Sequence, residues 1–265
     1  MHIAALYHYP IKSCRGSALE RAEIDARGIV HDRRLMLVDP AGRFLTQREH
    51  PRMALIAARI NGSALSVSAP GMDPLELDWT ADGPRLAVSI WRDTCQAVDL
   101  GAAAAEWLGE FLATPCRLVH IADDEVRIVD QTYAPRPADE VGFADGFPFL
   151  VIAQESLDDL NARLGTPLPM DRFRPNIVVA GCAPYAEDGW AEIRIGAITL
   201  ALVKPCARCA ITTTDQRTAE RGKEPLRTLA TYRAVGGKVM FGQNAIHDRN
   251  GSIRLGDPVE VIRQR

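Results

Sequence analysis

One segment of the chain reads Lys204-Pro205-Cys206-Ala207-Arg208-Cys209-Ala210-Ile211-Thr212-Thr213-Thr214-Asp215. It follows a run of aliphatic and β-branched residues, 197–203, which is typical of a strand and which ends before a proline. We therefore expect the two cysteines to lie where a strand leaves its sheet.

A Cys-x-x-Cys pair has several chemical interpretations. A thioredoxin-like redox pair opens a helix whose N-terminus lowers the thiol pKa, but Ile211 and three threonines make a poor helix start. A structural zinc site needs about four ligands, and here Cys14, Cys182 or a histidine would have to converge from a distance. A third interpretation is a single thiolate ligand for a softer metal, with Arg208 and Lys204 favouring the ionised sulfur. Two half-buried structural cysteines are the alternative that needs no ligand.

The composition excludes several classes of function. The 265 residues are 47% hydrophobic and 25% charged, as in a globular protein with one large or two smaller cores. A net charge of -3 gives no electrostatic case for binding nucleic acid or an anionic membrane. Residues 1–7 lack a basic signal region, and no window approaches the ~20 apolar residues of a membrane span. Six cysteines without a secretory signal favour the reducing cytoplasm.

The first 120 residues alternate between short strands and turns. Asn61-Gly62, between 54–60 and 63–68, is the strongest hairpin signal, because Asn-Gly tolerates the positive φ angles of a type I′ turn. Residues 39–42 carry the proline and glycine of a type I turn. Strands at this spacing suggest a barrel or sandwich-like module. Further short strands are predicted at 35–38, 43–46, 75–79 and 86–91.

Helical periodicity appears at three places between the strands. Residues 104–112 carry apolar side chains at helical spacing, and Pro115 ends this helix. A second helix is predicted from an N-cap at Ser156 to Gly165, and a short third helix begins near Pro225. The strands predicted around these helices are 117–121, 149–153, 177–179, 192–195, 198–203 and 256–262.

Two further turns carry residues suited to an anionic ligand. Lys12 and Ser13 follow a strand that ends at Pro10, and they offer a cation, a hydroxyl and free backbone N–H groups as a phosphate cradle, with a solvated turn as the alternative. In the segment 172–176, two arginines one residue apart on an extended chain would point the same way. Asn176 can hydrogen-bond a heterocycle as both donor and acceptor. This segment suits a polyanionic ligand with a purine-like ring.

These motifs, and the order in which they follow one another along the chain, resemble those of the molybdenum-cofactor sulfurase C-terminal (MOSC) domain family. The resemblance is strongest to its bacterial YcbX-like members and to the mitochondrial amidoxime-reducing components. The resemblance implies an α+β, strand-rich fold in which an N-terminal β-barrel-like domain, 1–120, packs on a MOSC β-barrel, 121–265, with a few short helices. It covers nearly the whole chain. The motifs that carry it are Tyr9-Pro10-Ile11-Lys12-Ser13-Cys14, Gly28-Ile29-Val30-His31-Asp32-Arg33, Arg172-Phe173-Arg174-Pro175-Asn176, Pro205-Cys206-Ala207-Arg208-Cys209 and Phe241-Gly242-Gln243-Asn244.

The resemblance also implies roles for individual residues. Cys209 would be the thiolate ligand of the metal, because soft thiolate donors suit a molybdenum that a dithiolene also binds. Cys206 would be structural or would support the metal ligand. Asp145 would lie near the metal, for proton delivery or for hydrogen bonding to the pterin. The residues expected to bind the molybdopterin are Lys12, Ser13, Arg33, Arg172, Arg174, Asn176, Ala207 and Arg208.

Two of these assignments have alternatives. Arg33 could instead form an ion pair with Asp32 or Glu23, and Asp145 could be a loop aspartate that caps the following glycine. Where relatives carry serine at the middle of the cysteine motif this chain has Ala207, so a hydroxyl contact is lost.

The function implied is that of a cytoplasmic molybdenum enzyme that reduces N-hydroxylated compounds such as hydroxylaminopurines or amidoximes. Because no Cys-x4-Cys-x2-Cys run follows Cys209, we expect its electrons to come from a separate protein of the ferredoxin or flavoprotein type. The alternative is a molybdenum-cofactor carrier or sulfur-transfer module without reductase activity. A third hypothesis is a protein that binds zinc through the cysteine pair and holds no pterin.

Overall fold

The computed structural model describes all 265 residues, and strands make up most of its regular structure. The α+β, strand-rich fold class expected from the sequence is confirmed. None of the helices is long and apolar enough to cross a membrane.

The strands are β1 (His2–His8), β2 (Ser17–Leu19), β3 (Arg21–Asp25), β4 (Gly28–Ile29), β5 (Leu35–Val38), β6 (Ala57–Asn61), β7 (Ala64–Ser68), β8 (Leu75–Asp78), β9 (Arg85–Ile90), β10 (Asp93–Asp99), β11 (Arg117–Ile121), β12 (Phe149–Ala153), β13 (Ile177–Ala180), β14 (Trp190–Ile195), β15 (Ile198–Ala207), β16 (Ala234–Val235), β17 (Lys238–His247), β18 (Gly251–Arg254) and β19 (Val259–Gln264). The α-helices are α1 (Ala102–Leu112), α2 (Gln154–Ala162) and α3 (Leu226–Ala230), and short 3-10 turns cover Pro51–Leu55, Met170–Arg172, Ala186–Gly189 and Ala210–Thr213.

Nine strands form the largest sheet, in the order β19-β14-β15-β17-β12-β13-β1-β2, with β16 paired to β17. β12 and β13 run parallel, whereas the other neighbouring strands of this sheet are antiparallel. A parallel pair needs a crossover connection, which α2 supplies here. β15 carries the first cysteine of the pair, and its pairing with β14 and β17 fixes where that segment leaves the sheet.

The first strands of the chain pack with the last ones. β1 lies between β13 and β2 in the largest sheet, and β3 pairs with β18. Ile3 and Leu6 of β1 are buried in the same apolar cluster as Val151 of β12. The N-terminal segment thus packs across the boundary expected between 1–120 and 121–265, and that division of the chain stays a prediction.

The middle of the N-terminal half forms two smaller sheets, β5-β11-β10-β9 and β6-β7-β8. A hairpin joins β6 to β7 as expected, but its two turn residues are Gly62 and Ser63, and only Gly62 has a positive φ, +60°, so the turn is not the type I′ turn predicted at Asn61-Gly62. α1 buries Leu108 and Phe111 against this part of the chain, in one cluster with Leu65 of β7. The helix predicted over 104–112 is therefore confirmed, and its apolar face packs on the strands as its spacing indicates.

Three further local predictions were wrong. β15 does not end before Pro205 but continues past it, because two register shifts against β17 accommodate a residue without a backbone N–H. Ser156 does not cap α2 but lies inside it, where its hydroxyl donates at 2.9 Å to the buried Glu187 carboxylate, a group that needs donors once it leaves water. Residues 43–46 form only isolated bridges instead of a strand.

Gly242, in β17, lies in close contact with β12. Its φ is +79°, and a Cβ there would lie 2.6 Å from Ile152 Cγ1 and 3.0 Å from the carbonyl oxygen of Val151. Replacing Gly242 by alanine is expected to lower the free energy of unfolding by roughly 2–4 kcal/mol, since left-handed backbone strain and overpacking add together. Urea denaturation of the variant and the parent protein measures the difference.

A matched control separates the two causes of that loss. Gly62 also has a positive φ, +60°, but no atom lies within 4 Å of the Cβ that an alanine would add. Gly62→Ala is therefore expected to cost only about 1 kcal/mol, from backbone strain alone. If the two variants lost the same stability, the close approach of β17 to β12 would contribute nothing.

Candidate functional site

An open cleft lies beside the point where β15 ends. It encloses about 830 Å³, including the solvent in its mouth. Its walls are the turn after β1, the end of the loop before β12, the turn before β13 and the cysteine-containing segment, together with Arg33, Arg48 and Asn244. These segments are far apart in the sequence, so the fold gathers at one place what the chain separates.

Nine of the ten residues predicted as site residues line this cleft. Their roles toward a ligand stay predictions, but their convergence is a property of the structure. The nine are Lys12, Ser13, Arg33, Asp145, Arg174, Asn176, Ala207, Arg208 and Cys209.

Arg172 is the predicted residue that does not reach the cleft. The segment was expected to be extended, but Met170–Arg172 is a 3-10 turn and Arg174 has a φ of +56°, so the two arginine side chains diverge. Arg172 Nη2 donates at 2.7 Å to Asp215 Oδ2, whereas Arg174 Nη1 donates at 2.6 Å to the carbonyl oxygen of Cys14. A cofactor contact for Arg172 therefore has no support in the geometry.

Tyr9 packs against two arginines of the cleft wall. The guanidinium carbons of Arg33 and Arg174 lie 4.3 and 4.2 Å from the centroid of its buried ring, and its hydroxyl donates at 3.0 Å to the carbonyl oxygen of Pro175. Such cation–π contacts strengthen when they are desolvated. Burial lowers the pKa of Arg174 to about 10, which still leaves its guanidinium charged at neutral pH. The stack thus holds two positive charges in fixed orientations.

Asn176 lines the cleft, but its side-chain amide already has protein partners. Its Oδ1 accepts hydrogen bonds from Arg33 Nη1 at 3.0 Å and from the Leu150 backbone N–H at 3.2 Å, and its Nδ2 donates to the Tyr7 carbonyl oxygen at 3.3 Å. Arg33 also pairs with Asp32 at 2.5 Å, which is the alternative contact expected from the sequence. Asn176 therefore orients Arg33, and a direct contact with a heterocycle stays a prediction.

Asp145 joins several donors at the rim of the cleft. Lys12 Nζ donates to Asp145 Oδ1 at 2.5 Å and to the Phe143 carbonyl oxygen at 2.8 Å, while Trp91 Nε1 donates to Asp145 Oδ1 at 3.1 Å and Arg48 lies 3.5 Å from Oδ2. Loss of solvent would raise the pKa of the Asp145 carboxyl, but Lys12, Arg48 and Trp91 together lower it well below its ordinary value. Burial lowers the pKa of the Lys12 amine, which the carboxylate partly offsets. Of the two roles expected for Asp145, these contacts favour hydrogen bonding over proton delivery.

Both cysteines of the pair line the cleft and are partly exposed. Cys206 Sγ accepts a hydrogen bond from Arg208 Nη1 at 3.0 Å, and Arg208 Nη2 donates at 2.6 Å to the carbonyl oxygen of Phe173. Cys209 stands directly before the 3-10 turn Ala210–Thr213, so the pair does not open an α-helix, as the poor helix start indicated. The two thiols therefore differ: that of Cys206 accepts a hydrogen bond from a guanidinium, whereas that of Cys209 has no hydrogen bond with a side chain.

The charge of the cleft differs from that of the protein as a whole. The chain carries a net charge of -3, yet five cations and only one carboxylate line the cleft. Arg208 Nε is buried without a hydrogen-bond partner. Because buried donors in proteins are nearly always paired, this N–H is a candidate donor to a bound ligand. The site therefore suits an anionic ligand that also reaches a soft sulfur donor. The five cations are Lys12, Arg33, Arg48, Arg174 and Arg208.

Sequence reasoning missed Arg48 in the cleft lining and Trp91 beside it. Arg48 follows a segment predicted as a strand, and Trp91 was assigned to the end of another strand, so nothing in the local pattern indicated that both would meet Asp145. Asn244 belongs to a motif that carried the family resemblance, which was the available signal for its position in the cleft. No group of three or more His, Cys, Asp or Glu side chains comes together, so the ligand set expected for a protein-only zinc site does not form.

Comparisons with known proteins agree with the motifs. A family model described as the MOSC N-terminal beta barrel domain matches residues 1–115, and one for the MOSC domain matches residues 138–260. Mitochondrial amidoxime-reducing component 1 of Mus musculus is 39% identical over 280 residues, covering 99% of this chain and 82% of its own, and the Homo sapiens protein of the same name is 35% identical over 291 residues, covering 99% and 83%. These relatives are named as mitochondrial, and the cytoplasmic location expected for this chain stays a prediction. Among solved structures, the YUAD protein from Bacillus subtilis covers 97% of this chain and 93% of its own at 12% identity, with a TM-score of 0.45.

Proposed function

This chain belongs to the MOSC-domain family that includes the amidoxime-reducing components, and from that premise we propose that it is a molybdenum-cofactor-dependent reductase of N-hydroxylated compounds. The observation that carries the proposal is the convergence, around one cleft, of five cations and two partly exposed thiols. A cationic wall beside a soft donor is what a phosphate-bearing pterin with a sulfur-bound metal requires.

The residues present fit that cofactor. Cys209 would supply the protein thiolate to the metal, because it lines the cleft and accepts no hydrogen bond from a side chain. Arg33 and Arg174, held against the ring of Tyr9, would bind the anionic end of the pterin, and the unpartnered Nε of Arg208 would donate to it. The chemistry that the cofactor supplies when bound is two-electron transfer at a molybdenum coordinated by sulfur.

The overall reaction fixes what the protein must provide. Reduction of an N-hydroxylated amidine takes up two electrons and two protons, breaks the N–O bond, and releases the amidine and water. Lys12, Arg48 and Trp91 lower the pKa of the Asp145 carboxyl, which supports a role as a hydrogen-bond acceptor more than one as a proton donor. In this proposal protons reach the open cleft from solvent, and the arginines hold and orient the anionic groups within it.

The electrons would come from a separate protein. The six cysteines are all unpaired thiols, and no group of three or more metal-binding side chains comes together in the structure. The proposal therefore keeps the ferredoxin- or flavoprotein-type donor expected from the sequence as the source of electrons at the cleft.

The test is to produce the chain in a host that makes the cofactor and to measure metal content, pterin fluorescence and turnover. We expect equimolar molybdenum and pterin, and reduction of benzamidoxime to benzamidine with a reduced viologen dye as the electron donor. Stoichiometric zinc without pterin would contradict the proposal. Pterin that is retained and then released to an apo-enzyme, without any turnover, would instead support the carrier function.

A further inference from the structure

We propose that a second cavity next to the cleft is a substrate subsite for planar, conjugated, uncharged N-hydroxylated compounds, with the indole of Trp91 as its stacking surface. The inference rests on the proposed reductase function and adds to it the class of substrate and the residue that recognises it. It is carried by the contacts that connect this cavity to the cleft, by the conformation of Trp91 and by the charge of the cavity lining.

The second cavity opens directly beside the cleft. It encloses about 1200 Å³, including the solvent in its mouth, and lies between the segment after β5 and the turn from β9 to β10. Arg48 lines both spaces, Trp91 reaches the cleft through its hydrogen bond to Asp145, and Lys12 Nζ lies 5.2 Å from the ring centroid of Phe44 in the cavity wall. The two cavities are therefore adjacent, and the proposed subsite would hold the end of a ligand that extends beyond the cleft.

Trp91 has a backbone conformation that usually favours a different type of residue. It occupies the two-residue turn of the β9–β10 hairpin, in which Ile90 pairs with Asp93, and its φ is +56°. Glycine or asparagine usually takes such a position, because a bulky side chain is strained there. Trp91 is nonetheless 53% exposed, so burial in a core does not account for it. Strain of this kind concentrates at functional sites.

The orientation of the indole is fixed by its neighbours. The guanidinium carbon of Arg48 lies 4.7 Å from the centroid of the indole ring, the Phe44 ring packs edge-on with centroids 5.0 Å apart, and the indole N–H donates to Asp145. A rigid aromatic surface that is already in place loses little conformational entropy when a flat ligand stacks on it. These contacts therefore prepare Trp91 to bind a planar group at the mouth of the cleft.

The balance of charges in the second cavity favours an uncharged ligand. Its lining carries as many carboxylates as guanidinium groups, Asp39 and Glu49 against Arg43 and Arg48, and Asp39 pairs with Arg43 at 2.7 Å. The cationic cleft suits an anionic cofactor, whereas this balanced cavity suits an uncharged ligand. Aromatic amidoximes and N-hydroxylated nucleobases are planar, conjugated and uncharged at neutral pH, and every such ring has a face that stacks on an indole.

The first test compares an aromatic with an aliphatic substrate in the cofactor-loaded protein. Trp91→Ala is expected to lower the ratio of kcat/KM for benzamidoxime to kcat/KM for acetamidoxime by about tenfold, since only the first substrate stacks. Trp91→Phe keeps a ring and is expected to hold that ratio within about twofold of the parent value. The control is Trp107→Phe, whose indole packs on Phe111 away from both cavities and which should leave the ratio unchanged.

The second test measures binding without turnover. In the absence of an electron donor, benzamidoxime is expected to bind the cofactor-loaded protein about tenfold more weakly after Trp91→Ala, by titration calorimetry, and to quench indole fluorescence in the parent protein but not in Trp91→Phe. If benzamidoxime bound in a way that depends on Trp91 but was not reduced, the result would contradict the proposed function and support the subsite. If the protein reduced both substrates and Trp91→Ala left the ratio of their kcat/KM values unchanged, the result would contradict the subsite and support the function. Slower reduction with a protein donor but not with a dye would also overturn the subsite, because Trp91 would then contact the donor.

Discussion

Replacing Cys209 by alanine is expected to reduce kcat/KM for benzamidoxime by roughly a hundredfold or more and to lower the molybdenum content of the protein. A thiolate ligand both anchors the metal and tunes it, and loss of even a group that only supports a metal ligand costs about 10–100-fold in affinity or activity. Cys209 lines the cleft at the start of the 3-10 turn, so the change removes one sulfur without disturbing a strand. Elemental analysis and steady-state kinetics measure the two effects.

The other cysteines provide matched controls for this variant. Cys206→Ala removes the sulfur that Arg208 contacts at 3.0 Å, and it is expected to keep the metal while lowering kcat/KM about tenfold. Cys182→Ala removes a partly buried thiol that lies near Glu155, outside the cleft, and should leave both quantities unchanged. If Cys206→Ala lost the metal and Cys209→Ala retained it, the metal ligand would be the first cysteine of the pair.

Replacing Arg174 by alanine is expected to lower the pterin content of the purified protein by about tenfold. The substitution removes a buried, charged guanidinium that is held against Tyr9 and hydrogen-bonded to the Cys14 carbonyl oxygen, and charge-assisted contacts with an anion are among the strongest hydrogen bonds. Arg174→Lys keeps the charge but loses the planar guanidinium and its several N–H donors, so an intermediate pterin content is expected. Pterin fluorescence after denaturation gives the content of each variant.

Arg172→Ala is the control for that experiment, because it changes the other arginine of the same turn. Arg172 pairs with Asp215 outside the cleft, so its loss should lower the free energy of unfolding by roughly 1–2 kcal/mol and leave the pterin content unchanged. Equal pterin losses in the alanine variants of Arg172 and Arg174 would show that the turn as a whole, and not the guanidinium of Arg174, holds the cofactor.

The sequence predicted which residues come together better than it predicted the local backbone. Nine of ten candidate residues meet around the cleft, and all of them except Asp145 belong to short motifs whose order carries the resemblance. Arg172 was misplaced because alternation of side chains holds only on an extended strand, whereas the chain turns at Met170–Arg172 and enters the left-handed region at Arg174. No residue in that segment is a glycine, so nothing in it signalled the positive φ.

What the sequence could not provide were contacts between distant segments. Arg48 and Trp91 reach Asp145 only because three separate turns meet at one rim, and no local periodicity encodes such a meeting. The same limit explains the strand past Pro205, since its continuation depends on how β17 shifts register beside it. Hydrophobic patterns identified strands and helices correctly where burial on one face decided them, as in β6, β7 and α1.

The position of β1 inside the largest sheet has a consequence for biosynthesis. β1 is synthesised well before its partner β13, which begins at Ile177, so β1 cannot complete its place in the sheet until that later part of the chain has been made. Lys12 and Ser13, which follow it, reach the cysteine segment only then. Dividing the chain near residue 120 would therefore yield two fragments, each without pairing partners that lie in the other. The cleft would form only if the two fragments reassociated.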